Sequence, residues 1–262
     1  MCSSDLTTNN KYAVGGTCLI FAENSSRNVF GFNINTGKWN TITVSTTLPW
    51  TVAHSNGNTA MIVNDSLAVF YSAYNGNFAT LRFEGQKINF GTKWVGCKEN
   101  YGFLITDTKI YFFDAEDSQI RSLTYTGVGT SSPGGGINDH GDYFCMNIWN
   151  TVTSAHTVVA YSPIKKTISE YTLGPLAVSG GNFVFLDHGF IVSSIAGPPY
   201  YGLGYSTYTG NFSIKTSDKL PISLHWSSCD PVSVNKRLCC LFHYRGEIDQ
   251  DGIAPVDRKS VV

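Results

Sequence analysis

One outline recurs five times along this chain of 262 residues. It is an apolar run ending in an aromatic, then a turn-former, then an apolar residue six positions beyond the turn-former. The copies read "NVFGFNINTGKW" (28–39), "LAVFYSAYNGNF" (67–78), "KIYFFDAEDSQI" (109–120), "TVVAYSPIKKTI" (157–168) and "YGLGYSTYTGNF" (201–212). The aromatics Phe32, Tyr71, Phe113, Tyr161 and Tyr205 stand 39, 42, 48 and 44 residues apart. Asn33, Ser72, Asp114, Ser162 and Ser206 follow them, and Trp39, Phe78, Ile120, Ile168 and Phe212 close the motif. Self-similarity at such a period marks a repeat architecture.

The flanks define the unit. An apolar strand precedes each copy, a segment of small residues precedes that strand, and a more polar strand such as "KWNTITV" or "NFATLRF" follows. Four short antiparallel strands per repeat describe the blade of a β-propeller, and small residues suit innermost strands that converge on a central channel. A β-sandwich also places strands at short intervals but does not demand self-similarity at this period. No segment sustains a helical period, so the expected class is all-β. Gly37, Gly76 and Gly210 sit two residues before the closing position, where a hairpin turn takes positive φ. Ser118 and Lys166 replace glycine there. The expectation is therefore that turn type varies between copies.

The motif "VFGFNINTGKW" resembles kelch-type and galactose-oxidase-like repeats, with their hydrophobic strand, polar turn and closing Trp, and Gly15-Gly16 is similar to the kelch double glycine. The resemblance implies a propeller and carries over no catalytic residue. The hexapeptides at 1–6 ("MCSSDL") and 257–262 ("DRKSVV") resemble translated ends of sequencing adapters. They are set aside, leaving one domain over 7–256. The expected arrangement is five complete blades and an incomplete sixth, from a parent of six or seven blades.

Composition narrows the function. The formal net charge is −1 and only 14% of residues are charged. That gives no basic field for a phosphate backbone, so nucleic acid is not an expected partner. No stretch of 18 apolar residues spans a membrane. Low charge with abundant Ser, Thr, Asn, Gly and Tyr is common in exported β-proteins, which points to an extracellular or cell-surface location. The seven cysteines, Cys2, Cys18, Cys97, Cys145, Cys229, Cys239 and Cys240, form no C-x-x-C motif. Most read as small apolar residues on strands. The spacing permits a bridge from Cys229 to Cys239 or Cys240.

Candidate chemistry is sparse. His54, His140 and His225 fall in or beside expected innermost strands. Convergence on the channel would make a metal or acid–base cluster; without carboxylate partners at matching positions, hydrogen bonding to channel water is the simpler role. In "NDHGD", Asp139 and Asp142 flank His140, which makes these three the catalytic candidates, although the composition is also that of a turn. "DQDG" (249–252) lacks the remaining acids of a calcium loop, and "SSPGGGIN" (131–138) lacks a phosphate-loop lysine. No metal ligand set and no cofactor motif is indicated.

These readings point to a non-catalytic module that binds a glycan or a protein. The alternative is a secreted carbohydrate-active enzyme (a glycosidase, lyase or oxidase) working at the channel. The loops joining second to third strands vary most, being short at 64–65 and 106–108 and long at 24–27, 147–156, 196–200 and 245–251. Trp149 and Tyr200 belong to the long ones, with Tyr201 just after, and the blade connection "TTLPW" brings Trp50 to the same face. These four aromatics are the expected ligand-binding residues. A sixth blade left incomplete would expose a sheet edge, through which the chain would self-associate.

Overall fold

The computed structural model describes residues 10–23, 26–45, 49–83, 85–86, 88, 94–125, 143–150, 155–173, 182–193 and 200–217. Among them every regular element is a strand, and no helix is long and apolar enough to cross a membrane. The first sheet holds β1 (Asn10–Gly15), β2 (Cys18–Glu23), β3 (Asn28–Asn33) and β4 (Lys38–Thr43). The second holds β5 (Val52–Asn56), β6 (Thr59–Val63), β7 (Leu67–Ser72) and β8 (Phe78–Arg82). The third holds β9 (Val95–Cys97), β10 (Tyr101–Ile105), β11 (Lys109–Asp114) and β12 (Ile120–Thr124). The fourth shows β13 (Phe144–Asn150), β14 (Ala155–Ser162) and β15 (Thr167–Leu173). The fifth holds β16 (Asn182–Leu186), β17 (Gly189–Ser193), β18 (Tyr200–Ser206) and β19 (Asn211–Ser217). In each sheet the strands lie in chain order and pair antiparallel. Such consecutive antiparallel sheets are the blades of a β-propeller. The expected first strand of the fourth blade and the expected sixth blade lie outside the described residues.

The sequence repeat is the hairpin of the third and fourth strands. Its aromatic and its closing residue face each other across the ladder in every copy: Phe32 with Trp39, Tyr71 with Phe78, Phe113 with Ile120, Tyr161 with Ile168 and Tyr205 with Phe212. Cross-strand pairs of this kind are the unit of sheet stabilisation. Side chains alternate between faces along a strand, and each face packs on a different neighbour. In β6 and β7, Ala60, Ile62, Val69 and Tyr71 join a core shared with the first blade. Met61, Val63, Ala68 and Phe70 join one shared with the third. Further cores lie between blades three and four, around Phe112 and Tyr161, and between four and five, around Cys145 and Tyr205. The inner strands are therefore apolar on both faces, unlike the one-sided pattern of an isolated sheet.

The turn of the hairpin departs from expectation. Gly37, Gly76 and Gly210 have φ of 65°, 73° and 68°, but Ser118 and Lys166 also adopt positive φ, both 56°. All five turns share one conformation, so the expected variation in turn type is overturned. The residue after the aromatic explains the uniformity. Asn33 Oδ1 accepts from the Asn35 and Thr36 amides, Asp114 Oδ1 from those of Glu116 and Asp117, Ser72 Oγ from Tyr74 and Ser162 Oγ from Lys165. The amide at the positive-φ position then closes on the carbonyl four residues earlier in blades one, two, three and five. Side chains that imitate a turn fix the backbone, and the left-handed residue follows whether or not it is glycine.

A left-handed residue other than glycine costs about 1–2 kcal/mol. Two substitutions should thus act in opposite directions. Gly37→Ala, where no described atom lies within 4 Å of the new methyl position, is expected to lower stability by about 1 kcal/mol. Ser118→Gly is expected to raise it by roughly 0.5 kcal/mol, because the greater freedom of glycine in the unfolded chain offsets part of the gain. Denaturant midpoints of the two variants check both signs.

Candidate functional site

The structure relocates several residues picked from the sequence. Trp50 is not presented to solvent; it is 3% exposed and packs with Val44 and Leu67 in the core between the first two blades. A lone aromatic in a connection was read as a surface ring, and packing between blades claims it instead. Trp149 is not in a loop. It pairs with His156 near the end of the β13–β14 ladder, so the connection shrinks to 151–154. Tyr200 and Tyr201 likewise sit on β18, paired with Ser217 and Thr216. His140, Asp139, Asp142 and His225 lie outside the described residues, as do Cys2, Cys229, Cys239 and Cys240.

Near the axis, the first strands bring together small polar and sulfur groups. Ser55 Oγ donates within reach of the Gly15 and Cys18 carbonyls at 3.1 Å and lies 3.3 Å from Cys18 Sγ. The Cys97 thiol lies 3.6 Å from the His54 carbonyl oxygen. Burial pushes the thiols of Cys18, Cys97 and Cys145 upward and the imidazole of His54 downward. These groups are held in their neutral forms near neutral pH, the opposite of what activates a cysteine nucleophile. All three cysteines are free. Among the described residues, no three His, Cys, Asp or Glu side chains converge as a metal site.

A different face of the disc carries the more informative geometry. The turns between first and second strands meet the turns between third and fourth strands through backbone hydrogen bonds. Ile34 N donates to Thr17 O, Ala73 N to Asn58 O, Ala115 N to Asn100 O and Thr207 N to His188 O. Neighbouring blades join on the same face, with Thr17 N to Gly57 O at 2.8 Å and Asn58 N to Glu99 O at 2.7 Å. Side chains add latches: Asn33 Nδ2 to the Ala73 carbonyl, Ser72 Oγ to the Ala115 carbonyl, and Ser162 Oγ to the Thr207 carbonyl at 2.6 Å. At this position Asp114 accepts, and the next blade supplies the donor: the Tyr161 hydroxyl donates to Asp114 Oδ2 at 2.9 Å. Burial and the adjacent carboxylate push that hydroxyl far above the ordinary phenol range, so it remains a donor. Lys166 Nζ also reaches back to Glu116 at 2.9 Å and Asp117 at 3.6 Å.

This bonding fixes the turns, and the tips of the turns are apolar. Ile34 is 49% exposed, Tyr74 55%, Ile164 49% and Tyr208 56%. They are half of the large apolar side chains that stand exposed among the described residues. Tyr74, Ile164 and Tyr208 share one position of the turn, where the first and third blades have Asn35 and Glu116, and Ile34 stands one residue earlier. Tyr208 lies 4.9 Å from the His188 ring, and the Tyr74 hydroxyl donates to Asn100 Oδ1 at 2.9 Å. The signal is present in the repeat, since the third residue after Tyr71, Tyr161 and Tyr205 is large and apolar in each. Reasoning from loop length passes over it.

No protein-family model and no curated protein matches the chain. Solved structures of similar backbone include the N-terminal domain of Nup159, at 10% identity and TM-score 0.34 over 81% of this chain and 62% of that one. Hsv2p of Kluyveromyces lactis aligns at 8% identity and TM-score 0.33 over 77% of this chain and 61% of that one. Apo AztD from Citrobacter koseri aligns at 7% and 0.32, over 79% and 72%. The chain therefore spans less than two thirds of the first two, and the propeller assignment rests on the sheet order and repeat register described above.

Proposed function

We propose that the chain is a non-catalytic propeller module that binds a protein ligand on the face of the third-to-fourth-strand turns. One observation carries this reading: the tips Ile34, Tyr74, Ile164 and Tyr208 are large, apolar and about half exposed, on turns locked by hydrogen bonds. Tight turns favour Gly, Asn, Asp and Ser for backbone reasons. Tyr74 and Tyr208 contact Asn100 and His188, yet all four tips keep about half of their surface open, which suits an interface. Two of the four are isoleucines, which offer no ring for stacking on a sugar, so a protein surface fits better than a glycan. Kelch-type ancestry of the blades is part of the same reading, resting on the motif of the first repeat.

Panning a displayed peptide library on the full chain tests it. Binders are expected to lose about 5–30-fold in affinity on single Ile34→Ser, Tyr74→Ser, Ile164→Ser or Tyr208→Ser variants that keep the wild-type melting temperature. A glycan array and the variants Trp149→Ala and Tyr201→Ala form the opposing arm. Binders indifferent to all four tip variants, or glycan binding that Trp149→Ala removes, would sink the proposal.

A further inference from the structure

Asparagine followed by glycine is the pairing most open to self-modification, because no side chain on the glycine shields its amide from the asparagine carboxamide. The chain holds two such pairs, Asn56-Gly57 and Asn75-Gly76, each at a hairpin turn. Both asparagines are exposed, so access to water does not separate them. Both glycines are left-handed, with φ of 54° and 73°. Hydrogen bonding does separate them.

At the second pair every group the reaction needs is engaged. Gly76 N donates to the Ser72 carbonyl at 2.9 Å. Asn75 Oδ1 accepts from Asn77 N and from Ser118 Oγ, both at 3.0 Å, and Asn75 Nδ2 donates to the Glu116 carbonyl at 3.3 Å. At the first pair, among the described residues, neither the Gly57 amide nor the Asn56 carboxamide has a hydrogen-bond partner. Asn56 and Thr59 form the last pair of the β5–β6 ladder, so turning Asn56 disturbs no pair beyond it. The Gly57 carbonyl, by contrast, is tied to Thr17 N at 2.8 Å and Thr17 Oγ1 at 3.0 Å.

We propose that Asn56 is a modification site at which the chain deamidates itself, and that Asn75 is shielded from the same chemistry. Gly57 N attacks Asn56 Cγ and loses its proton. The new N–Cγ bond replaces the Cγ–Nδ2 bond, and the carboxamide nitrogen leaves with that proton as ammonia. Water then opens the cyclic imide. Breaking the N–Cγ bond leaves aspartate; breaking the original peptide bond leaves isoaspartate, whose main chain runs through the side chain and is longer by a carbon. No oxidant or reductant takes part. The longer chain has no room at this turn. A Cβ at Gly16 would stand 2.3 Å from Gly57 Cα, and one at Gly57 would stand 2.5 Å from Glu99 Cα. Isoaspartate therefore strains the bonds to Thr17 and the bond from Asn58 N to Glu99 O at 2.7 Å, and loosens the second blade from both neighbours.

Ageing the full chain in mildly alkaline buffer, natively and in urea, tests this by peptide mapping of both pairs. In the native protein Asn56 is expected to convert about tenfold or more faster than Asn75, because Asn75 must first give up its hydrogen bonds. In urea the two rates should converge, since both asparagines then precede an unrestrained glycine. Aged protein should show a second, lower urea midpoint that the aged Asn56→Ser variant lacks. Asn56→Asp carries the new charge without the longer chain and should keep the midpoint of fresh wild type. Native conversion at Asn75 as fast as at Asn56 overturns the proposal. So does a native Asn56 that stays intact while the urea-treated chain converts. An aged wild type that unfolds together with the aged Asn56→Ser variant overturns the loosening of the junction, and an Asn56→Asp midpoint as low as that of aged protein assigns the loss to charge and overturns the role of the lengthened chain.

Discussion

Tyr161→Ala is expected to destabilise the protein by about 3–5 kcal/mol, the range for emptying a large aromatic site in a core. Tyr161 is fully buried and its ring stacks on Phe112, with centroids 4.6 Å apart and an interplanar angle of 8°. It also meets Tyr101 edge-on at 5.3 Å. The cavity would open within the core shared by the third and fourth blades, beside the Phe103–Phe144 and Phe112–Phe144 contacts. Tyr161→Phe separates packing from bonding. It keeps the ring and removes the proton given to Asp114, whose side chain is 2% exposed. Depriving a buried acceptor of its partner costs about 1–3 kcal/mol. Urea unfolding of the two variants should therefore give clearly unequal losses. Equal losses would mean that the hydrogen bond, and not the ring, holds this interface.

Gly57→Val should cost about 3 kcal/mol or more, combining a β-branched residue at positive φ with steric overlap in a filled space. Gly57 has φ 54°, and a Cβ there would lie 2.5 Å from Glu99 Cα in the next blade. On its other side the Gly57 carbonyl accepts from Thr17 N and Thr17 Oγ1 of the preceding blade. The added side chain would press on the third blade at a residue whose backbone is bonded to the first. Thermal melting of this variant beside Gly37→Val isolates the steric part, since both residues are left-handed and only Gly57 is crowded.

Much of this was legible before any coordinates. The aromatic and closing residue of each repeat predict a facing pair, because seven residues with a four-residue turn can bring those two positions opposite each other. The small residues ahead of each second strand predict crowding near the axis, which Gly15, Gly16 and Gly57 bear out. Ser118 and Lys166 misled because glycine is a sufficient sign of positive φ and not a necessary one. There, Asp114 and Ser162 shape the turn from its start. Trp149 and Tyr200 were placed in loops because strand ends depend on how far a partner strand extends, which is not a local property. Trp50 was misplaced because its burial depends on residues of two blades. Three of the apolar turn tips, Tyr74, Ile164 and Tyr208, were visible at a constant offset from the aromatic, with Ile34 one residue nearer; they stood on a face that loop length does not favour.

The side-chain latches give the arc a polarity. Asn33, Ser72 and Ser162 each reach forward along the chain to a main-chain carbonyl of the following blade, and only the Asp114 junction is reversed. Shortening the molecule from its two ends is consequently not symmetric. Loss of the fifth blade strands the Ser162 hydroxyl on the part that remains, beside newly bared apolar surface. Loss of the first blade takes the donor Asn33 away with it and leaves behind a carbonyl that water can solvate. Because the acceptor at three junctions is backbone, the latch itself makes no demand on the side chains at 73, 115 and 207, which are constrained by burial instead. At those three junctions the donor side alone therefore sets the chemistry of the latch, and the acceptor side is constrained only in size.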